Sequence, residues 1–144
     1  MQRAAWARVS VAGKVVGALD APGLVVLLGV THTDREAQAA AMAAKLCELR
    51  IMPDSDGRMN RSVADVGGGF LVISQFTLYG EVAKGRRPSF AAAAPAEDAG
   101  PLVDRVVEHL RSLGASVATG CFGAEMLVEL ANDGPVTLIV DLPA

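Results

Sequence analysis

The chain of 144 residues reads as one compact domain of mixed α and β structure, spanning residues 1–144. Three observations point there. Short β-prone runs dominate the chain, two amphipathic segments with helical spacing can cover one face of a sheet, and no fixed-period repeat or low-complexity linker divides it.

In chain order, Ala5 to Val11 alternates as a half-buried strand, Ala12, Gly13 and Lys14 suit a tight turn, and Val15 to Leu19 forms the hairpin partner. After the punctuation of Asp20 to Gly23, Leu24 to Val30 is a continuous apolar run, expected in the middle of a sheet with both faces covered. Thr33 or Asp34 can cap a helix carrying Met42, Leu46 and Leu49 on one side and ending near Pro53. Asp54 to Asn60 is polar and turn-rich. The Gly67 to Gly69 triplet leads into a second β-prone run, Phe70 to Leu78. Leu102, Val103, Val106, Val107 and Leu110 mark the apolar face of a second helix that Gly114 is placed to stop. Ser116 to Thr119, Met126 to Ala131 and Val136 to Leu142 complete the strands, the last two joined through Asn132, Asp133, Gly134 and Pro135 as a hairpin connection.

Bulk composition narrows the setting. Hydrophobic residues make up 51% of the chain, yet no apolar run approaches the roughly 20 residues of a membrane helix. The N-terminus alternates apolar and polar residues instead of presenting a signal-peptide core, so a soluble, cytoplasmic protein without a membrane partner is expected. Cys47 and Cys121 are then expected as reduced thiols. Thirteen Lys and Arg against sixteen Asp and Glu give a net charge of −3, the opposite of a strongly basic nucleic-acid binder. An RNA partner would need a local patch, and Lys84, Arg86 and Arg87 form the densest one; the same run also reads as an ordinary solvated loop.

Familiar chemical motifs are missing: no Walker loop, no Gly-x-Gly-x-x-Gly after a strand, no His-Glu-x-x-His, no Gly-x-Ser-x-Gly. His32, Cys47, His109 and Cys121 are scattered singly, so neither a metal nor another cofactor is expected. No hydroxyl is tied by spacing to either histidine as a base. Two segments stand out. Ser74, Gln75, Phe76 and Thr77 put three hydrogen-bonding side chains at the end of an apolar strand, which serves a functional site or marks a strand leaving the core. Asn132 to Pro135 serves equally as a plain turn.

Read together, Ser74 to Tyr79 (SQFTLY) and Asn132 to Thr137 (NDGPVT) resemble the two signature motifs of the D-aminoacyl-tRNA deacylases. Leu28 to Thr31 (LGVT), Asp65 to Gly68 (DVGG), Lys84 to Phe90 (KGRRPSF) and Phe122 to Met126 (FGAEM) follow the family pattern in the family order, so the resemblance covers essentially the whole chain.

The resemblance implies a three-layer α/β/β domain, a homodimer, and an active site at the subunit interface that takes the 3′ end of an aminoacyl-tRNA; no DNA partner is implied. It implies that Gly134 and Pro135 form a cis peptide inserted into the partner's pocket, where their carbonyls reject an L side chain while D-aminoacyl groups and glycine pass. Backbone N–H groups around Phe76 would stabilise the oxyanion, with Thr77 lining the site and the 2′-hydroxyl of the terminal adenosine assisting. Arg8 matches an arginine that braces the Gly-Pro motif, and Met126 matches a pocket-lining position. Two alternatives stand beside this: direct attack by Thr77 through an acyl-enzyme, and a non-catalytic tRNA-binding module on the same fold.

Overall fold

A computed structural model describes residues 1–143. Eight strands and two helices follow in the order β1 (Gln2–Val11), β2 (Lys14–Leu19), β3 (Gly23–Leu28), α1 (Glu36–Glu48), β4 (Met52–Pro53), β5 (Met59–Arg61), β6 (Gly69–Ser74), α2 (Ala96–Ser112), β7 (Ser116–Thr119) and β8 (Leu127–Thr137), with a 3-10 turn at Phe76–Tyr79.

Strand β3 is central, as its unbroken apolar run requires: it pairs antiparallel with β1 on one edge and parallel with β6 on the other. Side chains alternate along β3 and β6. Leu24, Val26, Leu28, Phe70 and Val72 face one way and are sealed by α1 and α2 through residues such as Ala43, Leu46, Val106 and Leu110. Val25, Leu71 and Ile73 face the other way, against Ala4, Ala7, Val9 and Leu19 of β1 and β2. Two cores on opposite faces of one sheet make the architecture helix, sheet, sheet, the three layers expected. Each fully buried Leu or Val contributes about 1.5–3 kcal/mol, and both faces of β3 and β6 draw on it.

Strand β1 joins the two sheet layers. One of its edges is shared between β3, along Gln2–Ala4, and β2, along Ala7–Val11. This lets β2 fold across the sheet onto β7. The approach needs a bare backbone: a Cβ on Gly17 would stand 2.2 Å from the carbonyl oxygen of Thr119.

Five local expectations change. Helix α1 begins at Glu36 after Arg35, because the Asp34 carboxylate turns back to accept the Thr31 N–H at 2.8 Å and Gln38 Oε1 accepts the Arg35 N–H at 2.8 Å. The helix ends at Glu48, short of Pro53; Ile51 and Met52 are buried, and the chain leaves in the extended form of β4. The polar stretch after Pro53 turns about the Asp54 carboxylate, which accepts the Asp56 and Arg58 N–H groups, but its end pairs back on β4 as β5. Strand β6 stops at Ser74, and the β-prone residues after it form the 3-10 turn, with Phe76 and Leu78 exposed.

The fifth change matters most for function. Asn132 to Pro135 does not connect a hairpin. Both flanking segments pair with β1, not with each other, so they belong to one long strand, β8, and residues 138–142 lie outside any strand. Gln2 pairs with Thr137 and Ala4 with Asn132. Five steps along β8 therefore face two along β1, and the surplus bulges outward as an exposed loop at Asp133, Gly134 and Pro135.

Candidate active site

The parallel pair β3–β6 ends at Leu28 and Ser74, and the Gln75 N–H donates to the Leu28 carbonyl at 2.8 Å as the last rung. Beyond it the 3-10 turn begins. The N–H groups of Phe76 and Thr77 open this turn and have no carbonyl within it to accept them, so they are available to an incoming oxygen. The Gln75 side-chain amide donates to the Thr77 hydroxyl. Ser74, Gln75 and Phe76 line a pocket of about 580 Å³ with Met126, Phe90 and Phe122, which lies between the strand end and the start of α2. Thr77 stands just outside that lining.

A cationic rim adjoins this pocket. Glu81 and Ser89 exchange backbone hydrogen bonds at 2.7 and 2.9 Å and close a loop that carries Lys84, Arg86 and Arg87, all exposed and, among the described residues, in no ion pair. At the base of the loop the Phe90 ring meets Phe76 edge to face, centroids 5.1 Å apart. Behind the turn, Tyr79 packs against Gly29, and burial, with the nearby Asp34 and Asp141, pushes its phenol above its ordinary pKa.

The second unusual segment lies elsewhere on the chain. The Gly134–Pro135 peptide is cis and exposed. Asn132 clamps the loop from inside: its Oδ1 accepts the Val136 N–H at 2.7 Å, and its Nδ2 donates to the Val136 carbonyl at 3.3 Å and to Thr137 Oγ1 at 2.9 Å. The loop projects beside Arg3, which pairs with Leu24 on β3, whereas Ser74 is level with Leu28. Four residues along and three strand spacings across put the two segments of one chain on the order of 20 Å apart.

Arg8 is engaged elsewhere within the chain. Its guanidinium forks onto the Glu129 carboxylate with two 2.9 Å hydrogen bonds and lies 5.9 Å from the Trp6 ring centroid. The bond from Arg8 holds the Glu129 carboxyl below its ordinary pKa. The arginine bonded to the Gly134 loop is Arg3, whose Nε donates to the Asp133 carbonyl at 2.9 Å. Sequence reasoning passed over Arg3 and the clamping role of Asn132; Arg3 carried no signal beyond its charge. Cys47 and Cys121 are free thiols, and no three His, Cys, Asp or Glu side chains converge among the described residues. No helix is long and apolar enough to cross a membrane, among the described residues.

Fold and site together define a class of three-layer α/β/β hydrolases with polar groups gathered at a parallel strand end. The chain belongs to the D-Tyr-tRNA(Tyr) deacylase family, whose profile matches residues 1–141. It is 58% identical to a D-aminoacyl-tRNA deacylase of Acidothermus cellulolyticus, over 99% of this chain and 96% of the relative. It is 57% identical to one of Thermus aquaticus, over 98% and 92%. Among solved structures, one named c-Myc DNA unwinding element binding protein superposes with a TM-score of 0.91 at 37% identity, over 99% of this chain and 97% of that one.

Proposed function

We propose that the protein hydrolyses the ester bond of D-aminoacyl-tRNA, and of glycyl-tRNA mischarged on tRNA(Ala), releasing the free amino acid and tRNA, and so removes amino acids of the wrong hand before translation. The observation that carries this reading is the family match, which runs through both polar segments from residue 1 to 141.

The chemistry asks for an activated water and for donors to the oxyanion. Phe76 and Thr77 offer N–H groups at fixed positions, which lose little by reorganisation when charge develops. No histidine stands in hydrogen-bond contact with Thr77, whose hydroxyl accepts from Gln75 instead. That supports a water assisted by the 2′-hydroxyl of the terminal adenosine over an acyl-enzyme on Thr77. Ser74, Gln75 and Met126 shape the pocket, and Lys84, Arg86 and Arg87 hold the phosphates of the tRNA 3′ end.

Chirality is read by Gly134 and Pro135 of a second subunit. The distance between loop and strand end within one chain supports a homodimer, because only another copy brings them together. Backbone carbonyls then crowd the position an L side chain would take, while a D side chain points away and glycine has none to exclude. Arg8 is tied to Glu129 on the outer face of β1 and β8, several residues along the strand from the Gly134–Pro135 loop of its own chain. The chain acts as one domain, in the cytoplasm.

The test is to follow release of amino acid from D-tyrosyl-, glycyl- and L-tyrosyl-tRNA against an enzyme-free control. Release of the first two with the L form intact is expected. Rapid cleavage of L-tyrosyl-tRNA overturns the steric filter; no release from any leaves a tRNA-binding module.

A further inference from the structure

Strand β1 fills only part of the edge that β3 offers it. Gln2, Arg3 and Ala4 pair with Val25, Leu24 and Gly23, and β3 runs on to Leu28 without a β1 partner for its later residues. On the other side Gln2 pairs with Thr137, and Met1 and Leu138 add a last rung by exchanging main-chain hydrogen bonds at 2.8 and 3.0 Å. Past that rung the two neighbours of β1 continue, and between them lies a slot of about 560 Å³, with residues 26–30 on one border and residues 137–142 on the other.

The slot is the lane of β1 itself. Carried back past Met1, the two registers set four further positions opposite residues 27–30 on one side and residues 139–142 on the other. Both borders turn main-chain groups into the lane. Leu28 gives its carbonyl to Gln75 on the β6 side, so alternation points the N–H and C=O groups of Leu27 and Gly29 the opposite way, into the slot. Leu138 bonds Met1, and two residues on the groups of Val140 take the same direction. The floor is apolar, built from Val26, Leu28 and Val30 with Ala39, Leu46 and Val106 of the helices. At the mouth, burial pushes the α-amino group of Met1 below its ordinary pKa, whereas an amide nitrogen makes the same bond to Leu138 without a charge.

We propose that this slot seats a β-strand of four extended residues joined directly ahead of Met1, lengthening β1 and closing the sheet between β3 and residues 139–142. Main-chain groups on both borders select a strand over a loose apolar ligand. Met1 packs on the helix-side core, so the second and fourth positions ahead of it share that face and drop onto the apolar floor, while the first and third face away. The occupant is therefore apolar and β-branched at alternate positions. Leu78 and Tyr79 also line the slot, so a strand seated there backs the turn that carries Phe76 and Thr77.

The experiment compares the chain beginning at Met1 with two extended forms released from a cleavable fusion, one with Val-Thr-Val-Thr ahead of Met1 and one with Thr-Val-Thr-Val. Thermal melts and amide exchange are read on all three. The first extension puts valine on the floor and is expected to raise Tm by about 5 °C or more. It should also slow exchange at Leu27, Gly29 and Val140 about a hundredfold. The second has the same composition with its valines turned off the floor, and a much smaller rise is expected. Equal rises from both overturn the register. No change in Tm or exchange with either overturns the strand. Protection of those amides by the free acetylated peptide Val-Thr-Val-Thr, with none from the joined form, overturns the source and makes the slot a seat for a separate chain. Protection that appears in the unextended form only as its concentration rises puts a second copy there and overturns it equally.

Discussion

The turn after β6 and the loop in β8 both interrupt a strand to expose backbone, but they are held in different ways. The turn is held by main-chain bonds: Gln75 N–H to Leu28 at 2.8 Å, Leu78 N–H to Gln75 at 3.3 Å, and Gly80 N–H to Thr77 at 2.9 Å. The loop is held by side chains, Asn132 from within and Arg3 from β1. Backbone donors survive almost any side-chain change, so the turn suits chemistry that must accept many substrates. A loop that depends on two side chains and one glycine is exact, and correspondingly easy to break.

The largest effect expected from this contrast lies in the substrate. If the turn contributes only N–H groups, Thr77→Ala keeps its activity within about tenfold, whereas a tRNA ending in 2′-deoxyadenosine loses a hundredfold or more, about the scale of general acid–base assistance. Single-turnover rates with both would decide it, and the reverse pattern promotes Thr77 to nucleophile. The loop should be less forgiving. Gly134 has φ +138°, and a Cβ there would lie 2.7 Å from Val136 Cγ2 and 3.0 Å from the Val136 nitrogen. Gly134→Ala is expected to cut kcat/KM for D-tyrosyl-tRNA about a hundredfold with the fold intact by circular dichroism.

Neutralising Lys84, Arg86 and Arg87 together touches neither segment, so the D over L ratio should hold while KM rises about tenfold and the slope of log K against log salt falls by about 2. An unchanged slope in a binding titration returns that loop to plain solvent exposure. The smallest effect concerns neither segment. Glu36 on α1 takes hydrogen bonds from Arg105 and contacts His109 on α2, which lowers its carboxyl pKa to about 2 from 4.5. A depressed acid pKa stabilises the fold above about pH 4.5 and loses that contribution as pH falls toward 2. Because the pair is exposed, Glu36→Gln should lower Tm at pH 7 by only about 2 °C and flatten its decline over that acid window, as read by melts from pH 7 to 2.

Residues whose neighbours in sequence settle their environment were legible from the chain alone. The apolar run of β3 demanded two covered faces, the spacing of Val103, Val106, Val107 and Leu110 demanded a buried helix side, and the polar end of β6 marked the pocket. Periodicity and burial are local consequences of side-chain size and polarity, so they can be read in order along the chain. The layering of two cores about one sheet followed from the same alternation once the strands were paired.

What only the tertiary structure decided depends on partners far away in sequence. Asn132 to Pro135 has the composition of a hairpin turn, and nothing within six residues says that both its flanks pair with β1, about 130 residues earlier. Phe76 to Tyr79 is β-prone, yet the ladder ends at Ser74 because Leu28, the last residue of its neighbour, ends there too. Arg3 reads as a surface charge until the fold lays Asp133 and Ile51 against it. Strand register and side-chain bonds to distant carbonyls are set by which segments meet, a property of the whole packed chain, and the loop that the proposed selectivity rests on is built from those terms.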